Sequence, residues 1–436
     1  MYFQSILVEP CASMREPRGV CVNQSFIQET ALNAGPLVVS HAMPEAQSVA
    51  LGIFVDVGSR DESSSQAGIA HALEHMLFKG TKSLDVHALS EKLDVLGGNA
   101  NAFTSRERTC FYLHILHEDW QEGLGLLMDM LLEPALPEDE WLREREVIYS
   151  EMAMVDDVPD EWVYDQHIKS VFSGQAVGEP TLGTREALST FSVADLGDYL
   201  ASHYRPPRLL IAAAGRIEHA ALVDAVGKRT WPSASERENR VQSVQKSGIQ
   251  YLARDMEQAH IVASFSGITA TSKQRPEAWL ANQMLGGGMS SALFREIRER
   301  RGLAYSVGSH LSPLSDTGLW SMSCGTAPHM LADCLGVLKE TLQAFPEMMD
   351  DAMVQRAKRQ MEVQLRMAMD SVEGHMLYLG ARLDEDKLLS QQQWVEKIQQ
   401  VQSNDVRDWV IRHFDSDAMW TVAGSDEALS SAQAVM

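Results

Sequence analysis

A pair of apolar segments occurs twice in this chain. Gly35-Pro-Leu-Val-Val-Ser-His-Ala-Met43 is followed by Ser48-Val-Ala-Leu-Gly-Ile-Phe-Val-Asp-Val-Gly58, and Gly248-Ile-Gln-Tyr-Leu-Ala-Arg-Asp-Met256 by His260-Ile-Val-Ala-Ser-Phe-Ser-Gly267. Each pair reads as strand, turn, strand, with period-2 apolar character that suits a sheet covered on one face. The offset from Gly35 to Gly248 is close to half of the 436 residues. Two similar α/β modules in tandem is the economical reading, and a chain this long exceeds what one hydrophobic core usually supports.

Residues 230–247 are polar, hold Pro232 and lack a sustained apolar face, which marks a linker. The expected division is therefore 22–229, a linker at 230–247, and 248–436. Strands give way to helical patterns at 89–96, Trp120–Leu132 and 331–345. That mixture predicts an α+β fold of two tandem sandwich domains, with helices packed on one side of each sheet.

Composition narrows the function. A hydrophobic fraction of 45% and a charged fraction of 22% are those of an ordinary folded protein. No run reaches the roughly 20 apolar residues that cross a bilayer, the nearest being Leu209-Leu-Ile-Ala-Ala-Ala214. A net charge of −23 argues against a nucleic-acid partner, and either favours basic peptides through the summed field or serves solubility. No secretory signal is visible at the start, where Tyr2-Phe-Gln-Ser5 is similar to the scar of a removed purification tag. The five cysteines (Cys11, Cys21, Cys110, Cys324, Cys334) are odd in number and widely scattered. Free thiols and a cytoplasmic setting are expected.

The chemistry concentrates in His71-Ala-Leu-Glu-His75. Histidines four apart on a helix share a face and can bind one metal. Ile69, Leu73, Met76 and Leu77 form the opposite, apolar stripe, and Gly80 supplies a stop. Glu74 points with the histidines, where it can take a proton from a water activated by zinc. A catalytic zinc needs a third protein ligand. The acidic helix predicted over 139–154 offers Glu144 and Glu151, seven apart on one face, and spacing does not choose between them.

Gly68-Ile-Ala-His-Ala-Leu-Glu-His-Met-Leu-Phe-Lys-Gly-Thr81 resembles the pitrilysin (insulinase-like) family of inverted-motif zinc peptidases, in the short-chain branch that includes mitochondrial processing peptidase. The resemblance implies Glu151 as third ligand, 76 residues beyond His75, within Glu144-Arg-Glu-Val-Ile-Tyr-Ser-Glu151. It implies Glu144 as an outer partner of the site. Gly97-Gly-Asn-Ala-Asn-Ala-Phe-Thr-Ser105 resembles the family's active-site edge strand, so Asn101, Ala102 and Phe103 are expected to pair with the substrate backbone. Arg298 and Tyr305, seven apart, match the family's carbonyl-binding pair.

The glycines of Leu285-Gly-Gly-Gly-Met-Ser-Ser-Ala-Leu-Phe294 precede a basic helix, but no Gly-Lys-Ser/Thr follows, so a phosphate cradle is a weak reading. The resemblance further implies a homodimer whose two chains close like a clamshell around a chamber that admits short or unfolded peptides. The expected activity is that of a zinc-dependent endopeptidase, with Zn²⁺ as cofactor. The alternatives are a dedicated precursor-maturation protease and a non-catalytic peptide-binding subunit. Loss of the zinc motif marks such subunits, and here the motif is intact.

Overall fold

The computed structural model describes residues 27–234, 240–385 and 387–435. The sequence readings on Tyr2–Ser5, Cys11, Cys21, residues 22–26 and residues 235–239 lie outside the described residues.

The first half builds a six-stranded sheet from β1 (Ile27–Ala31), β2 (Leu37–Ala42), β3 (Ser48–Val55), β4 (Asn99–Thr104), β5 (Thr109–Leu116) and β6 (Leu209–Gly215). Its strand order is β1-β2-β6-β3-β5-β4. The second half builds a five-stranded sheet from β7 (Gly248–Ala253), β8 (Ala259–Ser266), β9 (Ala304–Pro313), β10 (Gly318–Thr326) and β11 (Met419–Gly424), in the order β7-β11-β8-β10-β9. Strand for strand, β2-β6-β3-β5-β4 repeats as β7-β11-β8-β10-β9. The directions match as well: β2 runs parallel to β6 and β7 to β11, while the remaining pairs are antiparallel. The recurring strand pair is therefore no hairpin, because a strand from late in each half inserts between its members.

Five helices of the first half are α1 (Ile69–Leu77), α2 (Val86–Val95), α3 (Trp120–Leu132), α4 (Glu138–Asp157) and α5 (Pro159–Val171), and α4 packs against both α1 and α5. Leu51, Ile53, Ile211 and Ala213 of the sheet share one core with Leu73 and Met76 of α1 and Leu127 of α3. The alternate residues Val39, Ala50, Phe54, Leu210 and Ala212 face the other way, into a second core with Met376 and Leu379.

Those last two residues belong to the helix Val372–Leu379, which comes from the second half of the chain. The exchange is mutual. Helix α5, from the first half, lies on the second sheet, where Ile168 and Val171 pack with Leu319 and Met419. His167 of α5 is fully buried between Thr421 Oγ1 at 2.9 Å and Ser264 Oγ at 2.7 Å. The expectation of helices on one side only is thus corrected: the first sheet is covered on both faces. β6 is buried at every position and β3 at all but its first, a continuous apolar run that requires two covered faces.

A buried polar cluster fastens the halves together. The Arg60 guanidinium donates to Asp316 Oδ1 and Oδ2 at 2.7 and 2.6 Å, to Val241 O and Ser243 Oγ at 2.9 Å, and to Glu107. Glu107 also accepts from the Ser315 N–H at 2.8 Å. Arg240, from the described part of the linker, pairs with Asp61 at 2.8 Å and Asp56 at 3.1 Å. The turn after β4 is in this way tied to the turn between β9 and β10, so the outer strands of the two sheets meet at their ends.

Candidate metal centre

Helix α1 begins at Gly68, whose φ of +95° is left-handed, and a side chain there would meet Leu182 O at 2.7 Å. The buried Glu62 carboxylate accepts the N–H groups of Gly68 and Ala70, both at 2.8 Å, and so caps the helix. Ile69, Leu73, Met76 and Leu77 are fully buried, while His71, Glu74 and His75 reach the opposite, partly open side. The amphipathic division expected of the sequence is the one observed.

Helix α4 carries an acidic first turn at Glu138, Asp139 and Glu140, which suits the positive end of its dipole. It buries Trp141, Glu144 and Ile148, and packs on α1. Two turns beyond Glu144, Glu151 Oε2 lies 3.8 Å from His71 Nε2 and 3.6 Å from His75 Nε2. His71, His75 and Glu151 form the only such cluster among the described residues, their ligand atoms all within 4.8 Å of one another. Arms of roughly 2.0–2.2 Å in a tetrahedron set ligand atoms about 3.3–3.6 Å apart. The 3.6 Å separation stands at the top of that span and the 3.8 Å one just beyond it, and two imidazoles with one carboxylate are a donor set suited to zinc.

Glu144 does not join that cluster. Its Oε2 lies 2.9 Å from His75 Nδ1, and its Oε1 accepts from Lys79 Nζ at 2.6 Å. A carboxylate on Nδ1 leaves Nε2 as the free ligating nitrogen. The geometry thus separates two glutamates that spacing alone left equivalent.

The electrostatics differ sharply between neighbours. Burial, with the adjacent His75, lowers the His71 imidazole to about 4 and keeps it neutral, as a metal ligand must be. Burial also pulls His75 down, but Glu144 and Glu151 outweigh it and raise that ring. Burial raises the Glu74 carboxyl, opposed by a hydrogen bond from Thr104 and by His75. A carboxylate lifted in this way is a stronger base.

Asn101, Ala102 and Phe103 lie on β4, which among the described residues pairs only with β5 and forms an outer edge of the first sheet. The Ala102 N–H donates to Asn101 Oδ1 at 2.8 Å. Arg298 and Tyr305 are together but elsewhere. Arg298 sits on a π-helical turn (Phe294–Glu299), and Tyr305 on β9, an outer strand of the second sheet. The guanidinium stacks 4.5 Å from the Tyr305 ring centre and donates to Tyr305 O at 2.9 Å. Tyr305 is 78% exposed. Among the described residues, no hydrogen bond, ion pair or ring contact links this pair to the cluster on α1 and α4.

Three groups escaped the sequence reading: Lys79, Thr104 and Glu62. Lys79 lies just past the end of α1, four residues after His75, and that close spacing is a signal that could have found it. Thr104 and Glu62 act through contacts that the fold creates.

Two α+β modules of one topology, the first bearing a His₂Glu cluster beside a further glutamate, define the class: a tandem-module chain with a candidate metal centre. Residues 37–185 match the model of the insulinase family, peptidase family M16, and residues 190–361 match that of the peptidase M16 inactive domain. An uncharacterized zinc protease of Rickettsia bellii is 32% identical over 397 residues, covering 90% of this chain and 96% of its own. The uncharacterized zinc protease YmxG of Bacillus subtilis is 32% identical over 378 residues, covering 84% and 92%. A protease from Helicobacter pylori shares the fold with a TM-score of 0.85 at 19% identity, over 91% of this chain and 99% of that one. The chain belongs to the insulinase (pitrilysin) family of peptidases, family M16.

Proposed function

We propose that the chain is a zinc-dependent endopeptidase acting on short or unfolded peptides. The observation that carries this reading is the convergence of His71 Nε2, His75 Nε2 and Glu151 Oε2 on one point beside Glu74. The zinc-protease names of its relatives agree with it. Zinc held by those three residues would supply Lewis acidity toward water and the scissile carbonyl.

The chain's own groups do the rest. Glu74 takes the proton of the attacking water and hands it to the leaving amine. An extended peptide adds to the open edge of β4, with its main chain against Asn101, Ala102 and Phe103, replacing the local bond at the Ala102 N–H. Backbone pairing recognises extended shape more than side chains, so folded proteins are poor substrates.

Arg298 and Tyr305 act as electrophilic support for the carbonyl oxygen. Their exposure, and their separation from the cluster within the described contacts, support a site completed by a second copy of this chain. Two such chains would enclose a chamber. The buried free thiols Cys110, Cys324 and Cys334 suit a reducing compartment such as the cytoplasm.

The test is digestion of a mixed peptide library, with cut sites mapped by mass spectrometry. Internal cleavage that stops with chelator and returns with Zn²⁺ is expected. Cleavage indifferent to chelator would rule the reading out.

A further inference from the structure

We infer that Thr104 is a positioning residue for Glu74, binding one carboxylate oxygen and leaving the other to take the proton. The inference rests on the peptidase reading above. Thr104 Oγ1 donates to Glu74 Oε2, and this is the only hydrogen bond of the Glu74 side chain among the described residues. The contact spans 30 residues of sequence and joins the last residue of β4 to the middle of α1.

The placement follows from the strand. Side chains alternate along β4, so Thr104 shares a face with Ala100 and Ala102, both packed against the core beneath α1. Opposite Thr104 in register is Thr109, whose hydroxyl is held by Val57 O at 3.0 Å. Thr104 is β-branched and stiff at χ1, so a strand fixed by β5 fixes the direction of its hydroxyl. A hydroxyl that donates to a carboxylate makes a charge-assisted bond, shorter and stronger than a neutral one.

A carboxylate tied at Oε2 cannot turn freely, and Oε1 becomes the one acceptor presented to water. The tether also joins recognition to chemistry. Thr104 follows Phe103 directly, so the strand on which a peptide pairs is the strand that aims the base. Thr104 touches no reacting atom in this account. Its loss should therefore misplace the base while leaving metal and peptide binding intact.

Two variants separate this role from a structural one. Thr104→Val keeps the shape and removes the hydroxyl; Thr104→Ser keeps the hydroxyl and removes the methyl. In Thr104→Val, kcat should fall about 10–100-fold with KM within about twofold, the cost expected for a misdirected base. Zinc content should match the wild type, and Thr104→Ser should recover kcat to within about threefold. Crystal structures add a readout that needs no activity: the Glu74 carboxylate should rotate away or split between rotamers in Thr104→Val and stay in place in Thr104→Ser. An unchanged kcat, a loss confined to KM, a serine variant as impaired as the valine, or an unmoved carboxylate would each overturn the tether. If the wild type cuts no peptide, the peptidase reading fails, and the position of Glu74 in Thr104→Val still decides the tether.

Discussion

His75 Nδ1 and Glu144 Oε2 stand 2.9 Å apart, and the other oxygen of the same carboxylate holds Lys79 Nζ at 2.6 Å. The carboxylate fixes the ring so that Nε2 faces Glu151 and His71. Glu144 should therefore tune the metal and Glu151 should bind it. Glu144→Gln is expected to weaken zinc binding by about 10–100-fold. Glu151→Gln, which removes a ligand, should weaken it far more. Competition titration with a chromophoric chelator gives both values, and the reverse order would exchange the two roles.

The cluster around Arg60 predicts a response to acid. Burial alone would raise the Asp316 carboxyl, but hydrogen bonds from Arg60 and the Ser243 N–H outweigh it and hold the group at about 2. An unfolded aspartate titrates near about 3.9. The folded value is the lower one, so this contribution to stability is complete above about pH 4–5 and is lost as pH falls toward about 2. Asp316→Asn should lower the melting temperature at pH 7, by about 1 °C for each kcal/mol lost when all 436 residues unfold together. The gap from wild type should narrow as the pH drops from 5 to 3. A constant gap would show that the pair adds nothing through its charge.

The second sheet's exposed pair predicts complementation. Glu74→Gln and Tyr305→Phe should each be inactive alone. After subunit exchange, one site of a mixed dimer collects both lesions and the other pairs an intact metal half with an intact tyrosine. Activity should then return. If native mass spectrometry shows mixed dimers and no activity appears, each chain does not complete its partner's site.

Much of this was legible before any coordinates, for identifiable reasons. The stripe of Ile69, Leu73, Met76 and Leu77 against His71, Glu74 and His75 is local periodicity, and it survives into the fold unchanged. The helix expected over 139–154 is observed as α4, because its acidic start and its Trp141, Glu144, Ile148 face are also local. The layering of the sheets was not legible. Leu209 to Ala214, the longest apolar run of the first half, is a central strand buried on both faces. Its second cover, Met376 and Leu379, lies more than 150 residues downstream, where periodicity carries no information. The same holds for Thr104, whose role appears only when β4 is laid beside α1.

The central claim is that His71, His75 and Glu151 hold zinc for a proton transfer performed by Glu74. Glu74→Gln tests it most directly, since the amide keeps the side chain's shape and cannot take the proton. Metal analysis and peptide turnover are measured on the same preparation. One zinc per chain with hydrolysis reduced at least about 10³-fold is the predicted result. Zinc retained with turnover close to wild type would contradict the account.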